Sequence, residues 1–230
     1  IDIKYKNFYK SYFLNKVKYF PLIDAKIAVS KDFFSINKKN KWITNFRSRQ
    51  VAHLIRSKYD CIVSTSYSIN KDNSLLNCRI EGLNNNKPDL IIIDRYLKLK
   101  KKLRLFNSSI QRKIYIFNLS INKKKISFLK KKKIKIIKIK RLENKIDFEN
   151  LFKEIMKIGK GRVLIESGLV FLNQLMKYKL INKLYLFKSS KFLGFNGCNN
   201  QSINFIKKLK IKSKINVNLD NDELFDIRIK

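Results

Sequence analysis

The turn Glu166-Ser167-Gly168 combines residue types that can bind and orient a phosphorylated ligand. It follows the apolar residues 163–165, which predict a buried strand, and precedes residues 169–178, whose periodicity predicts a helix. A glycine here lets a ligand approach the backbone, and the free N–H groups at a helix start attract phosphate. Many strand-to-helix turns share this pattern and bind nothing, so the turn carries weight only together with a second polar cluster.

Such a cluster occupies residues 64–79, directly after the apolar residues 61–63. It begins with a run of hydroxyl side chains and continues through Asp72 to Arg79, in a segment that we predict to be irregular. Ligands of α/β proteins bind in the crevice at the carboxyl ends of parallel strands. The segment is therefore consistent with a binding site, and equally with a surface loop that binds nothing.

The motifs of several common enzyme classes are absent. No G-x-G-x-x-G follows a predicted strand and no G-x-x-x-x-G-K-[ST] occurs, so the usual Rossmann and P-loop motifs are excluded. His53 is the only histidine, so metal sites lack ligands and a Ser-His-Asp triad has no nucleophile motif to complete it. The H-x-E and P-C-x-x-C segments of zinc deaminases are also missing. We interpret His53 as a surface or hydrogen-bonded structural residue and expect no metal.

The cysteines and the hydropathy indicate a reduced, non-membrane protein. Cys61, Cys78 and Cys198 match neither a zinc knuckle nor a C-x-x-C pair, and their odd number argues against a complete disulfide framework. We expect free thiols in the cytoplasm. No apolar run is long enough for a membrane span.

The formal net charge is +36, with 53 Lys and Arg against 17 Asp and Glu. Such a charge is typical of proteins that bind nucleic acid or anionic surfaces. Lys, Asn, Ile, Phe and Tyr, which have A/T-rich codons, are abundant, while Gly, Pro and Trp number only 6, 2 and 1. We therefore attribute most of the charge to genome composition and regard nucleic-acid binding as the weaker alternative. The charge would still attract anionic substrates such as phosphates.

Strands and helices alternate along most of the chain, which predicts an α/β fold with parallel βαβ units and antiparallel strands near the C-terminus. We expect a helix at residues 47–58 to be capped by Thr44 or Asn45 and to bury Val51, Leu54 and Ile55. Asp147 is the expected cap of the helix at 148–158, and the lysine-rich residues 123–133 are expected to form a solvated loop and strand edge. Strands are predicted at residues 22–29, 61–63, 90–93, 114–117, 134–139, 163–165, 184–187, 211–217 and 224–229.

Seven segments in a fixed order carry a resemblance to a known family. They are Lys26-Ile27-Ala28-Val29-Ser30-Lys31-Asp32-Phe33, Asn40-Lys41-Trp42-Ile43-Thr44, Arg56 late in a helix, the stretch from Ser68 through Asp72 to Arg79, Ile91-Ile92-Ile93-Asp94, Ile165-Glu166-Ser167-Gly168 and Ser190-Lys191-Phe192-Leu193-Gly194. Over about residues 21–197 this set resembles the C-terminal reductase domain of bacterial bifunctional riboflavin-biosynthesis deaminase/reductases.

The resemblance implies a dihydrofolate-reductase-like fold, with a mostly parallel sheet, flanking helices and antiparallel C-terminal strands. It implies a homodimer in which NADPH reduces the ribosyl group of 5-amino-6-(5-phosphoribosylamino)uracil to a ribityl group. Residues 21–230 would form the reductase domain, and residues 1–20 would be the end of a linker from a deaminase domain, fused or separate.

The resemblance also assigns site residues. Lys26 and Glu166 are expected at the reacting centre. Contacts to the NADPH cofactor are expected from Ala28, Trp42, Ser68, Asp72, Gly168, Leu169, Val170, Phe171, Leu172, Asn173 and Gln174. Contacts to the substrate are expected from Asn40, Arg56, Leu76, Arg79 and Glu166, with the two arginines suited to its phosphate. Three of these residues also have a structural alternative: Trp42 in the core, Arg79 on the surface, and Glu166 as a helix cap.

The chain departs from the family pattern at several positions. Phe33 stands in place of a glycine, Ser74 and Leu169 in place of prolines, and Asn40 in place of a serine; Arg95 stands where a serine often lies near the cofactor. We hypothesise that Arg95 reaches the 2′-phosphate of NADPH. Two alternative functions remain: a dihydrofolate or pteridine reductase of the same fold, and a non-enzymatic basic protein associated with RNA. For the main interpretation we expect Asp72, Arg79 and Gly168 to face one cleft.

Overall fold

The computed structural model describes residues 9–83, 87–106, 112–199, 209 and 214–229. Within these ranges the strands are Leu22–Val29 (β1), Ile36–Asn37 (β2), Cys61–Thr65 (β3), Asp89–Ile93 (β4), Ile114–Asn118 (β5), Lys135–Lys138 (β6), Arg162–Ile165 (β7), Lys183–Lys188 (β8), Gly197–Cys198 (β9) and Glu223–Arg228 (β10). The helices are Lys10–Val17 (α1), Phe46–Arg56 (α2), Ser66–Asp72 (α3), Lys123–Lys131 (α4), Lys145–Lys157 (α5) and Leu169–Lys177 (α6).

Eight of the described strands form one sheet in the order β10-β8-β1-β7-β3-β4-β5-β6. All neighbouring pairs are parallel except β10 with β8, which is antiparallel. The central strands are buried on both faces, which explains why their sequences are continuous apolar runs rather than alternating ones. The predicted mostly parallel sheet with an antiparallel C-terminal strand is confirmed.

Helices cover both faces of the sheet. Phe148, Phe152 and Leu169, from α5 and α6, pack with alternate residues of the central strands on one face. Ile55 of α2, Ile69 of α3 and Leu129 of α4 belong to the core on the other face. Because both faces are covered, the carboxyl edge of the sheet is the place where polar groups from several strands can meet a ligand.

The structure corrects three local predictions. Residues 123–133 are not a loop, because α4 begins there with Asn122 as its cap and buries Leu129. The first part of the polar segment after β3 is helical, since α3 spans Ser66–Asp72, whereas residues 73–79 are irregular as predicted. Leu54 of α2 is 45% exposed, so the buried stripe of that helix is formed by Ser48, Ala52 and Ile55 instead.

Of the two predicted helix caps, that of α2 is confirmed and that of α5 is wrong. Asn45, one of the two expected residues, caps α2, whereas α5 is capped by Asn144, with Asp147 completing the capping box. Residues 1–8 of the predicted linker and 211–213 of a predicted strand lie outside the described residues. No described helix is both long and apolar enough to span a membrane.

Candidate functional site

Polar and charged side chains collect at the carboxyl edge of the sheet. Glu166 follows β7, Asp94 follows β4, and α3 follows β3 directly, while Lys26 lies in the second half of β1. The strands β1, β7, β3 and β4 are adjacent in the sheet, so these residues lie side by side although they are far apart in sequence. This arrangement is the crevice in which α/β proteins bind ligands.

A buried ion-pair cluster occupies the centre of this edge. Arg56 Nε donates to Glu166 Oε1 at 2.5 Å, and Arg56 Nη2 donates to Glu166 Oε2 at 2.9 Å. Lys26 Nζ lies 3.8 Å from Glu166 Oε2. The structure therefore brings together both residues predicted at the reacting centre, and one of the two arginines predicted for the substrate phosphate.

The electrostatics of the cluster fix the ionisation of Glu166. Burial by itself would raise the pKa of this carboxyl, but the charge and hydrogen bonds of Arg56, together with the charge of Lys26, lower the pKa to about 2. Burial lowers the pKa of Lys26 below its usual value, and the negative charge of Glu166 opposes that shift. Glu166 is thus a carboxylate at any physiological pH, whereas Lys26 releases its proton more readily than an ordinary lysine.

His53 lies between the two predicted substrate arginines. Its Nδ1 accepts a hydrogen bond from the backbone N–H of Arg79 at 3.2 Å, and its Nε2 lies 3.1 Å from Arg79 Nη2. Burial and the positive charges of Arg56 and Arg79 lower the pKa of His53 to about 4. The sequence interpretation of a hydrogen-bonded histidine is confirmed, but its position within the predicted phosphate site gave no sequence signal.

The loop that follows α3 is anchored by arginines. Arg56 Nη1 donates to the carbonyl oxygen of Asn77 at 3.1 Å. Arg112 donates to the carbonyls of Leu75 and Leu76, the latter at 2.6 Å. Leu76 adopts a left-handed backbone with φ +49°, an uncommon conformation for leucine that these contacts help to hold. The role of Arg112 was missed by sequence reasoning, because nothing in its own segment indicates which carbonyls it meets.

Helix α3 connects this cluster to a large cavity. Ser68 Oγ accepts a hydrogen bond from the N–H of Gly168 at 3.0 Å, so α3 contacts the first residue of the α6 turn. The cavity beside this contact has a volume of about 640 Å³. It is lined by Thr65, Ser66, Tyr67, Ser68, Ile93, Asp94, Arg95, Tyr96, Lys98, Leu142, Phe148, Gly168, Val170, Phe171 and Gln174. Five residues predicted for the cofactor are among them.

Other predicted cofactor residues lie outside the cavity lining. Leu169 and Leu172 point into the core, with 0% and 1% of their surfaces exposed, because they form the inward face of α6. Asn173 is on the same helix, and Ala28 is partly buried in β1. These residues would contact a bound cofactor only through their backbone atoms, or if the cofactor extended beyond the cavity.

The segment containing Asn40 and Trp42 runs along the surface. Trp42 is 53% exposed, which excludes the core alternative, and its ring stacks on the guanidinium of Arg49 at 4.7 Å from the centroid. Lys41, between the two predicted residues, is close enough to Asp72 for its charge to act on that carboxyl, as is Lys26. Asp72 thus lies within electrostatic reach of both this segment and the ion-pair cluster.

Asp72, Arg79 and Gly168, which we expected at one cleft, are connected through contacts. Gly168 is bonded to Ser68 of α3, the helix that ends at Asp72. Arg79 contacts His53, which lies one helical turn from Arg56, and Arg56 binds Glu166 two residues before Gly168. These contacts connect the three residues, but of the three only Gly168 lines the cavity, so their position at one cleft stays a prediction.

The fold and the site together define an α/β protein with a cationic cluster and an adjoining cavity at the carboxyl edge of a parallel sheet. The chain belongs to the RibD C-terminal domain family, whose sequence profile it matches over residues 18–222. The chain is 30% identical over 196 residues to the riboflavin biosynthesis protein RibD of Buchnera aphidicola subsp. Baizongia pistaciae, covering 80% of this chain and 52% of that protein. It thus spans about half the length of this relative.

A second relative is covered almost completely. The chain is 28% identical over 196 residues to the 5-amino-6-(5-phosphoribosylamino)uracil reductase of Buchnera aphidicola subsp. Acyrthosiphon pisum, covering 80% of this chain and 91% of that protein.

Solved structures share the fold. RibD of Acinetobacter baumannii superposes with a TM-score of 0.76 at 16% identity, covering 97% of this chain and 62% of that chain. The riboflavin biosynthesis reductase Rib7 of Saccharomyces superposes with a TM-score of 0.69 at 21% identity, covering 97% and 98%. The predicted fold class, the one seen in riboflavin-pathway reductases, is confirmed.

Proposed function

We propose that this protein is an NADPH-dependent reductase that converts the ribosyl group of 5-amino-6-(5-phosphoribosylamino)uracil to a ribityl group. The observation that carries the proposal is the turn after β7. Glu166 anchors the cationic cluster there, and Gly168, two residues later, lines the large cavity. A phosphorylated sugar bound at the cationic cluster and a dinucleotide bound in the cavity would be separated by only this turn.

The cavity suits a dinucleotide. The start of α6 faces it and receives no side-chain cap, so the N–H groups of residues 169–171 are available to a phosphate, whereas that of Gly168 is bonded to Ser68. Hydroxyls of Thr65 and Ser66 offer partners for sugar hydroxyls, and Val170 and Phe171 offer apolar surface for a ring. Bound NADPH would supply a hydride to C1 of the sugar in its ring-opened imine form.

Two cations at the cavity wall support NADPH over NADH. Arg95 and Lys98 both line the cavity and lie 5.4 and 5.8 Å from the centroid of the Tyr96 ring. Asp94 fixes their loop, because its carboxylate accepts hydrogen bonds from the N–H groups of Lys98 and Leu99 at 2.7 and 3.0 Å. Arg95 can supply a charged partner for the 2′-phosphate, as its position in the family pattern led us to hypothesise.

The cationic cluster suits the phosphorylated substrate. Glu166 is ionised, so it accepts hydrogen bonds from sugar hydroxyls and cannot serve as the proton donor. Lys26 is the residue we assign to that role, because burial makes its proton easier to release and Glu166 holds it in place. Reduction of the imine takes up one hydride at carbon and one proton at nitrogen, which balances the reaction.

The test is NADPH oxidation by the purified chain with the deaminated phosphoribosylamino substrate. We expect loss of NADPH absorbance and a product heavier by two hydrogen atoms, measured by mass spectrometry. Turnover of dihydrofolate in place of this substrate would favour the pteridine reductase alternative. Absence of NADPH binding, combined with salt-dependent RNA binding, would overturn the enzyme assignment.

Two finer points follow from the family resemblance. We infer that the chain acts as a homodimer in the cytoplasm, and that deaminase chemistry resides in a separate or preceding domain. Sedimentation equilibrium of the purified chain tests the first point. Assaying the same chain with the amino form of the pyrimidine tests the second, because we expect no release of ammonia.

A further inference from the structure

Three hydrogen-bond donors and one acceptor, the backbone carbonyl of Asn77, lie around the ring of His53. The backbone N–H of Arg79 points at Nδ1 from 3.2 Å, and Arg56 Nη1 lies 3.4 Å from the same atom. On the opposite side of the ring, Arg79 Nη2 lies 3.1 Å from Nε2. Guanidinium and backbone N–H groups donate and cannot accept, so the protonation of the imidazole is constrained by its neighbours.

The backbone contact determines the tautomer. Because the N–H of Arg79 donates to Nδ1, that nitrogen must carry a lone pair, and in a neutral ring the proton then lies on Nε2. Nε2–H and Arg79 Nη2–H are then two donors 3.1 Å apart, and neither can accept from the other. A pair of donors at this separation is satisfied when an oxygen atom of an anion approaches both.

The charge around this donor pair also favours an anion. Arg79 Nη1 is engaged by the side-chain oxygen of Asn77 at 2.7 Å, and no carboxylate among the described residues pairs with Arg79. Arg56, by contrast, directs Nε and Nη2 to Glu166 and Nη1 to the Asn77 carbonyl. Of these two arginines, Arg79 is therefore the one whose positive charge has no carboxylate partner among the described residues.

We propose that the Nε2–H of His53 and the Nη2–H groups of Arg79 form a clamp for one oxyanion. This inference deepens the proposed function, on which it rests for the identity of the anion: there it is the phosphate of the substrate. His53 is then a binding residue that nothing in the sequence pattern had assigned. The groups that face it are Arg56 from its own helix, Arg79 and the Asn77 carbonyl from the loop after α3, and the carboxylate of Glu166.

Nuclear magnetic resonance of the imidazole tests the clamp directly. His53 is the only histidine, so in a tag-free protein its ring resonances need no assignment. The probe is inorganic sulfate, which stays a dianion across the pH range, with sodium chloride at equal ionic strength as the control. Without sulfate we expect the neutral Nε2–H tautomer throughout about pH 5 to pH 8. With sulfate we expect the Nε2 and Nε2–H signals to shift and the pKa of His53 to rise.

Matched variants separate the clamp from a general salt effect. Arg79→Gln keeps the backbone N–H that fixes the tautomer but removes one donor of the clamp, so the ring should remain Nε2–H and lose its response to sulfate. Arg141→Gln, at an exposed ion pair with Asp147, should respond as the wild type does. An Nδ1–H tautomer, or a ring that does not respond to sulfate in the wild type, would overturn the proposal.

Kinetics supply a second arm. His53→Leu should raise KM for the phosphorylated substrate by roughly tenfold, the effect of one hydrogen bond to a charged group, with little change in kcat or in KM for NADPH. His53→Gln retains an N–H donor and should recover part of the loss. If the wild type lacks reductase activity but its ring responds to sulfate, the clamp stands and only the proposed function fails. If the wild type is an active reductase but its histidine ring does not respond to sulfate, the proposed function stands and the clamp fails.

Discussion

Arg56 and Glu166 face each other in a two-point ion pair, with Nε 2.5 Å from Oε1 and Nη2 2.9 Å from Oε2. The pair joins α2 to the end of β7, and Arg56 also holds the loop after α3 through the Asn77 carbonyl. Because all three guanidinium nitrogens of Arg56 already donate hydrogen bonds within the protein, its main role is to hold the site together rather than to donate to a ligand. Removing one partner of a buried pair leaves an uncompensated charge, at a typical cost of about 3–5 kcal/mol.

Glu166→Gln should move the alkaline limb of the kcat/KM profile to lower pH. Burial lowers the pKa of Lys26, and the carboxylate of Glu166 opposes this effect, so loss of the negative charge lowers the pKa further. Activity that requires the ammonium form of Lys26 would then decline at a lower pH than in the wild type. The measurement is the pH dependence of NADPH oxidation. Glu149→Gln, at an exposed pair with Lys145, is the control. An unmoved limb would show that Lys26 is not the titrating group.

Arg79→Ala should weaken substrate binding by roughly 10- to 100-fold, the range for a charge-assisted hydrogen bond to a phosphate. The effect should fall on KM for the substrate, because Arg79 is exposed, pairs with no described carboxylate, and is not among the residues that line the cavity. Steady-state kinetics at saturating NADPH measure it. Arg141→Ala serves as the control for removing a surface guanidinium, and an unchanged KM in Arg79→Ala would contradict the assignment.

Arg95→Ala should reduce the preference for NADPH over NADH. The loss should be roughly tenfold, as expected for one hydrogen bond to a charged group, and larger when Lys98→Ala is combined with it. Both side chains line the cavity, whereas Lys100, on the same loop, is exposed and outside it, so Lys100→Ala is the matched control. The ratio of kcat/KM for the two cofactors is the readout. Equal ratios in wild type and Arg95→Ala would dismiss the hypothesis.

The elements that sequence reasoning located correctly are those with strong local patterns. The strand predicted at residues 22–29 coincides with β1, and the apolar runs before Asp94 and Glu166 became the buried strands β4 and β7. A continuous apolar run has few alternatives in an α/β fold, and an acidic residue after it marks the edge where ligands bind.

The features that could not be predicted from the sequence depend on contacts between distant segments of the chain. Helix α4 was not predicted, because its sequence is rich in lysine. A helix needs only a narrow apolar stripe to pack against the sheet, and here Ile126 and Leu129 form that stripe. The position of His53 beside Arg79 depends on how the loop after α3 folds back on α2. Arg112 likewise meets the carbonyls of Leu75 and Leu76 only through tertiary structure.

Asp24→Asn should make the protein more stable relative to the wild type as the pH rises from about 4 towards 7. Asp24 is buried at the far end of β1 and accepts a hydrogen bond from the hydroxyl of Tyr59 at 2.7 Å. Burial raises its pKa, although Tyr59, Lys183 and Arg162 act in the opposite direction. A carboxyl whose pKa is higher in the folded state stabilises the fold below its unfolded pKa, about 3.9, and loses that contribution as the pH rises through the folded pKa.

Asparagine does not titrate, and its carbonyl can still accept the hydrogen bond from Tyr59, so the variant escapes this loss. The measurement is the free energy of unfolding by urea at several pH values between about 4 and 7. Tyr59→Phe provides the matched comparison: it removes a hydrogen bond that lowers the pKa of Asp24, so the stability of that variant should fall more steeply with pH than that of the wild type. A difference between Asp24→Asn and wild type that stays constant with pH would mean that Asp24 titrates alike in the folded and unfolded chains.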